Sequence, residues 1–185
     1  EDNWSVFLNI AHTIAVSSGT DALFLALKSL NIGAGDEVIV PVNTFIATAE
    51  AVSLAGAQPV FADCDEQTFT LDVDAIRGKL TSKTKAIIPV HLYGQAADMD
   101  AIMALAREHG LRVIEDACQA HGADYKGKKL GTIGELGCFS FYPGKNLGTY
   151  GEGGAIVTNN AELANKLYKL RDHGSTKKYF HEVIG

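Results

Sequence analysis

Short apolar runs recur along the chain, most of them separated by a stretch with helical spacing, and this alternation restricts the fold more than any other feature of the sequence. The runs are Ile14–Val16, Glu37–Val40, Pro59–Ala62, Ala86–His91, Leu111–Asp116, Cys138–Tyr142 and Gly154–Thr158. Between them, Leu23, Ala26, Leu27 and Leu30 line one face of a helix that starts near Thr20. Further helices are predicted over Thr44–Ala55, Asp72–Leu80 and Asp98–His109, and from an Asn160 cap to about Asp172. Strands alternating with helices predict an α/β domain with a mostly parallel sheet covered on both faces. The proline inside Ala86–His91 points to an edge strand or an irregular ladder.

The chemistry is concentrated between Cys138 and Gly154. An apolar strand there ends at Pro143-Gly144 and delivers Lys145 into a glycine-rich turn. A lysine in a loop is ordinarily solvated. At the end of a buried strand it can lose solvation, which favours the neutral amine and makes it a nucleophile toward a carbonyl, the basis of Schiff-base chemistry.

Leu111–Asp116 is an apolar run that closes on two carboxylates, with Asp116 at the C-terminal end, where open α/β sheets bind ligands. An aspartate there can pair with a protonated pyridine nitrogen, as pyridoxal 5'-phosphate (PLP) chemistry requires, or it can serve as a helix cap or a surface charge. Ser17-Ser-Gly-Thr-Asp21 precedes a helix. Its backbone N–H groups suit a phosphate, and its serine equally suits an ordinary N-cap. Phe45 is placed at the same sheet edge, where it either stacks on a flat ring or simply packs.

A chain of 185 residues that is 46% hydrophobic can bury a core sufficient for one domain or slightly more. Its net charge of −6 argues against a general nucleic-acid binder. Cys64, Cys118 and Cys138 are odd in number, widely spaced and without a CxxC pair, so buried reduced thiols are expected, with no disulfide framework and no metal site. A start of Glu-Asp-Asn-Trp and the lack of any apolar run of membrane-spanning length place the protein in the cytoplasm with no membrane partner. The stop at Ile184-Gly185, after a helix and a polar segment, reads as that of a piece of a longer protein.

Other motifs fail on context. Gly122–Lys129 approaches a P-loop, but Lys129 stands where a Ser or Thr must hold magnesium, and glycine-bounded turns follow where a helix should open. Gly33-Ala-Gly35 and Gly151–Gly154 lead into strands, the reverse of a dinucleotide fingerprint. The histidines lack ligand spacing, and neither HExxH nor GxSxG occurs.

Six blocks in order resemble the DegT/StrS-type sugar-nucleotide aminotransferases. They are SSGTDALFLAL from Ser17, GAGDEVIVP from Gly33, NTFIATAEAV from Asn43, HLYGQAADMD from His91, VIEDACQAHGA from Val113, and CFSFYPGKNLG with GEGGAIVT from Cys138. The resemblance implies the three-layer large domain of the type I PLP-dependent transferase fold over residues 1–185, with an N-terminal segment and a C-terminal small domain missing. It implies PLP as cofactor and Lys145 as the lysine of the internal aldimine. Asp116 then faces the pyridinium nitrogen, Gln119 lies near the 3-hydroxyl, Gly19, Thr20 and Ser140 form the phosphate cradle, and Phe45 stacks on the ring. The reaction it implies moves an amino group from glutamate or glutamine to a nucleotide-linked keto sugar, in a homodimer with shared active sites. The family's dehydratases carry histidine at the lysine position, which this chain does not, and PGKNLG is similar to the form in members that act on 3-keto sugars. A non-catalytic sugar-nucleotide binding or regulatory module of the same fold is the alternative, and Lys145 with Asp116 counts against it.

Overall fold

The computed structural model describes residues 1–185. The apolar runs become strands and the helically spaced segments become helices, in the order α1 (Asp2–Leu8), β1 (His12–Val16), α2 (Gly19–Ser29), β2 (Glu37–Pro41), α3 (Ala47–Leu54) and β3 (Gln58–Ala62). There follow α4 (Val73–Arg77), β4 (Thr84–Ile87), a 3-10 turn (Leu92–Gly94), α5 (Met99–His109) and β5 (Arg112–Asp116). A hairpin of β6 (Asp124–Tyr125) and β7 (Lys128–Lys129) leads to β8 (Leu136–Ser140), β9 (Gly154–Thr158), α6 (Ala161–Arg171) and a second hairpin, β10 (Ser175–Lys177) with β11 (Phe180–His181).

Seven strands form one sheet in the order β1-β9-β8-β5-β4-β2-β3. Only β9 runs against its neighbours; from β8 to β3 every pairing is parallel. Successive strand residues point to opposite faces, so a sheet covered on both sides needs apolar residues at every position. Val38, Val40, Ile114, Cys138 and Ile156 join α2, α3 and α6 in one core, while Ile39, Ile87 and Val113 join α5 in a second. Phe139 and Val157 join Leu8 of α1 in a third. Burying an isoleucine such as Ile39 or Ile87 contributes about 1.5–3 kcal/mol. No helix is long and apolar enough to cross a membrane.

Three local readings are refined. The third helix begins at Ala47, not Thr44, because Phe45 and Ile46 enter it through a tighter turn in which Thr48 N–H donates to Phe45 O and Ala49 N–H to Ile46 O. The proline-bearing strand is central, not an edge, and its regular ladder stops at Ile87. Pro89 lies just beyond, where its missing N–H costs no ladder bond, and its carbonyl accepts from Asp116 N–H at 2.9 Å. Gly122–Lys129 is largely a hairpin whose turn residues, Lys126 and Gly127, have φ of 50° and 80°, as a two-residue turn of opposite twist demands.

Helix α1 was not foreseen. It has seven residues and no side-chain cap, so its local signal is weak. Trp4 holds it down by packing edge-on against Phe139 and Phe141, at ring-centroid separations of 5.2 and 5.4 Å.

Candidate active site

The C-terminal ends of β1, β2, β4, β5 and β8 lie on one edge of the sheet, and a cavity of about 450 Å³ opens there. All seven residues singled out from the sequence line it: Gly19, Thr20, Phe45, Asp116, Gln119, Ser140 and Lys145. They come from four separate stretches of chain, which the sheet alone brings together.

At the end of β5, Asp116 is 5% exposed. Burying a carboxylate requires donors, and it has two. Thr48 Oγ1 of α3 donates to Oδ2 at 2.8 Å, and Cys118 N–H donates to Oδ1 at 3.2 Å. Thr48 is positioned in turn by a 2.9 Å hydrogen bond with Thr44 Oγ1, four residues earlier and just before the helix. The carboxylate is thus fixed in orientation, and it faces the cavity with acceptor capacity to spare.

Gln119 is oriented by a neighbouring loop. Tyr93 N–H donates to its Oε1 at 2.9 Å, leaving the amide nitrogen without a protein partner. Tyr93 does so from a left-handed backbone with φ of 54°.

The opposite wall is the start of α2. Ser18 caps the helix through Asp21 N–H at 3.0 Å and Ala22 N–H reaches Ser18 O, so the N–H groups of Gly19 and Thr20 have no acceptor in the helix. Gly19 lies so close to β8 that a Cβ there would meet Ser140 Cβ at 2.6 Å and Cys118 Sγ at 2.9 Å. Only glycine lets the positive end of this helix sit beside the Ser140 hydroxyl, an arrangement that suits a phosphate.

Lys145 projects from the turn that follows β8. It is half-buried, and no hydrogen bond or ion pair engages its amine. Phe45 stands on the cavity wall 64% exposed, an apolar face that a bound ring would cover. The site also holds Thr44, Thr48, Cys118, Tyr142 and Glu152, none of which the sequence singled out. The Thr44/Thr48 spacing of four on a predicted helix was the available signal. Burial, and secondarily the adjacent Asp116 carboxylate, push the Cys118 thiol well above its ordinary range, so it is no nucleophile at neutral pH.

His91 and Glu115 are both 0% exposed and lie behind the site. Glu115 Oε2 accepts from His91 Nε2–H at 2.9 Å and from Gly131 N–H at 2.8 Å, and Oε1 accepts from Ile133 and Gly134 N–H, each at 2.6 Å. His91 Nδ1 accepts from Ala97 N–H, so the ring is the neutral Nε2–H tautomer and the contact is a hydrogen bond, not an ion pair.

The chain matches the sequence profile described as the DegT/DnrJ/EryC1/StrS aminotransferase family over residues 1–185. It is 58% identical over 176 residues to the UDP-N-acetyl-3-dehydro-alpha-D-glucosamine 3-aminotransferase of Acidithiobacillus ferrooxidans, covering 95% of this chain and 48% of that protein. Among solved structures it is similar to Streptomyces venezuelae DesV in complex with a ketimine intermediate, with a TM-score of 0.98 and 51% identity over 100% of this chain and 50% of that one. It is also similar to Bacillus subtilis NtdA with bound cofactor PMP, with a TM-score of 0.93 and 42% identity over 100% of this chain and 42% of that one. The chain spans about half the length of the curated relatives it matches.

Proposed function

Because the chain belongs to the DegT/DnrJ/EryC1/StrS aminotransferase family over its whole length, we propose that it is the PLP-binding large domain of a sugar-nucleotide aminotransferase. The reaction proposed transfers an amino group from glutamate or glutamine to a nucleotide-linked 3-oxo sugar, the position of the keto group following the relative from Acidithiobacillus ferrooxidans. A homodimer in the cytoplasm is part of the same reading, with no nucleic acid or membrane partner. The observation that carries it is the convergence of Lys145, Asp116 and an uncapped pair of helix N–H groups on one cavity. A binding module needs no amine opposite a buried carboxylate, and that alternative is not favoured.

The residues fit PLP. The Gly19 and Thr20 N–H groups and the Ser140 hydroxyl would hold the phosphate, and the Asp116 carboxylate would keep a proton on the ring nitrogen. Gln119, with Oε1 already engaged, would offer its NH₂ to the 3-oxygen, and Phe45 would cover one face of the ring. When bound, PLP supplies an aldehyde that takes up the amino group and a cationic ring that withdraws electrons from the reacting carbon. Lys145 Nζ would anchor that aldehyde at rest and, once released, carry the proton to and from the substrate carbon as general base and acid.

The test is to add PLP to the whole protein, reduce with borohydride and map the modified peptide. A near-visible band fixed onto Lys145 is expected, with Lys145→Ala losing both the band and transamination. Modification elsewhere, no modification, or normal turnover by Lys145→Ala would overturn the reading.

A further inference from the structure

The turn that carries Lys145 is almost free of the rest of the molecule. From Pro143 to Gly148 every residue except Lys145 is exposed. Lys145 N–H closes the turn onto Tyr142 O at 2.9 Å, and Gly148 packs so tightly on Pro143 that a Cβ would come within 2.7 Å of its carbonyl oxygen. These contacts shape the turn but do not hold it in place against the cavity.

One residue outside the turn does. His121, on the segment after β5, engages Asn146 twice: its Nδ1–H donates to Asn146 Oδ1 at 2.7 Å, and its carbonyl accepts from Asn146 Nδ2 at 3.2 Å. The imidazole is fixed independently, in a box made by Trp4, Phe139 and Phe141 with ring-centroid separations of 6.0, 5.6 and 5.2 Å. Its Nε2 is buried and has no partner, so the ring is neutral and donates through Nδ1 alone. Asn146 is Lys145's immediate neighbour. No other hydrogen bond ties residues 143–148 to the protein beyond Tyr142.

We infer that His121 is a positioning residue for Lys145: held in its aromatic box, it grips Asn146 and so fixes where the lysine enters the cavity. Its neutrality matters to the grip, since the Nδ1–H donor and the Asn146 oxygen make a directional bond that sets the orientation of the carboxamide and therefore the Lys145–Asn146 peptide. The inference rests on the reading that Lys145 is the residue to which PLP attaches.

The experiment measures the rate at which added PLP becomes borohydride-fixed to Lys145 in the whole protein, for the parent, Asn146→Ala, His121→Phe and the double variant. Losing a directional hydrogen bond of ordinary strength should slow attachment about tenfold in each single variant. The double variant should be no slower than either single one, because both remove the same contact. Asn146 is exposed and water can take over its two bonds to His121, so without PLP the unfolding midpoint of Asn146→Ala should stay close to the parent's, separating positioning from stability and covering the case where His121→Phe folds poorly. Parental attachment by Asn146→Ala, or single effects that multiply in the double variant, would overturn the inference. A parent that is never modified at Lys145 would instead overturn the assignment of the lysine.

Discussion

Replacing Glu115 by glutamine changes one oxygen to NH₂ in a side chain with no exposure, and the structure specifies what must break. Four donors converge on the carboxylate: Gly131 N–H and His91 Nε2–H on one oxygen, Ile133 and Gly134 N–H on the other. If the amide nitrogen replaces Oε1, it faces two backbone N–H groups and leaves both unsatisfied. If it replaces Oε2, His91 can offer Nε2 as an acceptor only by moving its proton to Nδ1, which then collides with the Ala97 N–H it now accepts. Either orientation orphans about two buried donors, each worth roughly 1–3 kcal/mol. The relief of burying a neutral group in place of a charge offsets part of this, leaving an expected loss of about 3 kcal/mol. For a domain of this size that lowers the melting temperature by roughly 6–12 °C. Urea unfolding of the whole protein followed by circular dichroism measures it. A loss below about 1 kcal/mol would show that the carboxylate does not hold the Gly131–Gly134 turn as described.

Gly19→Ala places a methyl group 2.6 Å from Ser140 Cβ, so α2 or the end of β8 must shift; a loss of about 1–3 kcal/mol is expected, with weaker retention of PLP on dialysis. Parental PLP retention would refute the phosphate cradle. Burial, offset in part by the hydrogen bond with Asn146, holds His121 below its ordinary value of 6.5. The unfolded chain therefore takes up that proton first, so this contribution to stability is complete above pH 6.5 and is lost as the pH falls below it. Urea midpoints at pH 7.5 and 5.5 should accordingly differ more in the parent than in His121→Phe. Cys118, its thiol pushed well above 9 by burial and by Asp116, should react slowly with iodoacetamide at pH 7.5 and rapidly only under strongly alkaline conditions, as followed by peptide mass.

The sheet was legible because runs such as Val38–Val40 and Val113–Ile114 are apolar on both faces, which only a doubly covered sheet explains. The residues that meet at the cavity were legible because punctuation placed them: Pro143-Gly144 ends a strand just before Lys145, and Asp116 closes an apolar run. What stayed hidden depends on contacts between distant segments. The Gly131–Gly134 turn has no pattern of its own; its conformation is set by a carboxylate 16–19 residues earlier. His121 and Asn146 are 25 residues apart and carry no mutual signal. Helix α1 depends on Trp4 meeting aromatic residues of β8 and beyond.

The two carboxylates that end β5 divide these roles between them. Adjacent strand residues point to opposite faces, so Glu115 and Asp116 cannot share an environment. Asp116 turns toward α3, where Thr48 steadies it and spare acceptor capacity faces the cavity; Glu115 turns the other way, and all its capacity is spent on His91 and the turn before β8. The satisfied carboxylate fixes the strand that carries Ser140 and, beyond it, Lys145, while the unsatisfied one remains available for a ligand. From the sequence the pair Glu115-Asp116 reads as two similar charges at a strand end. The pleat ties one into the fold and turns the other to the cavity, so exchanging their environments by a one-residue shift of β5 would dismantle this arrangement without altering its composition.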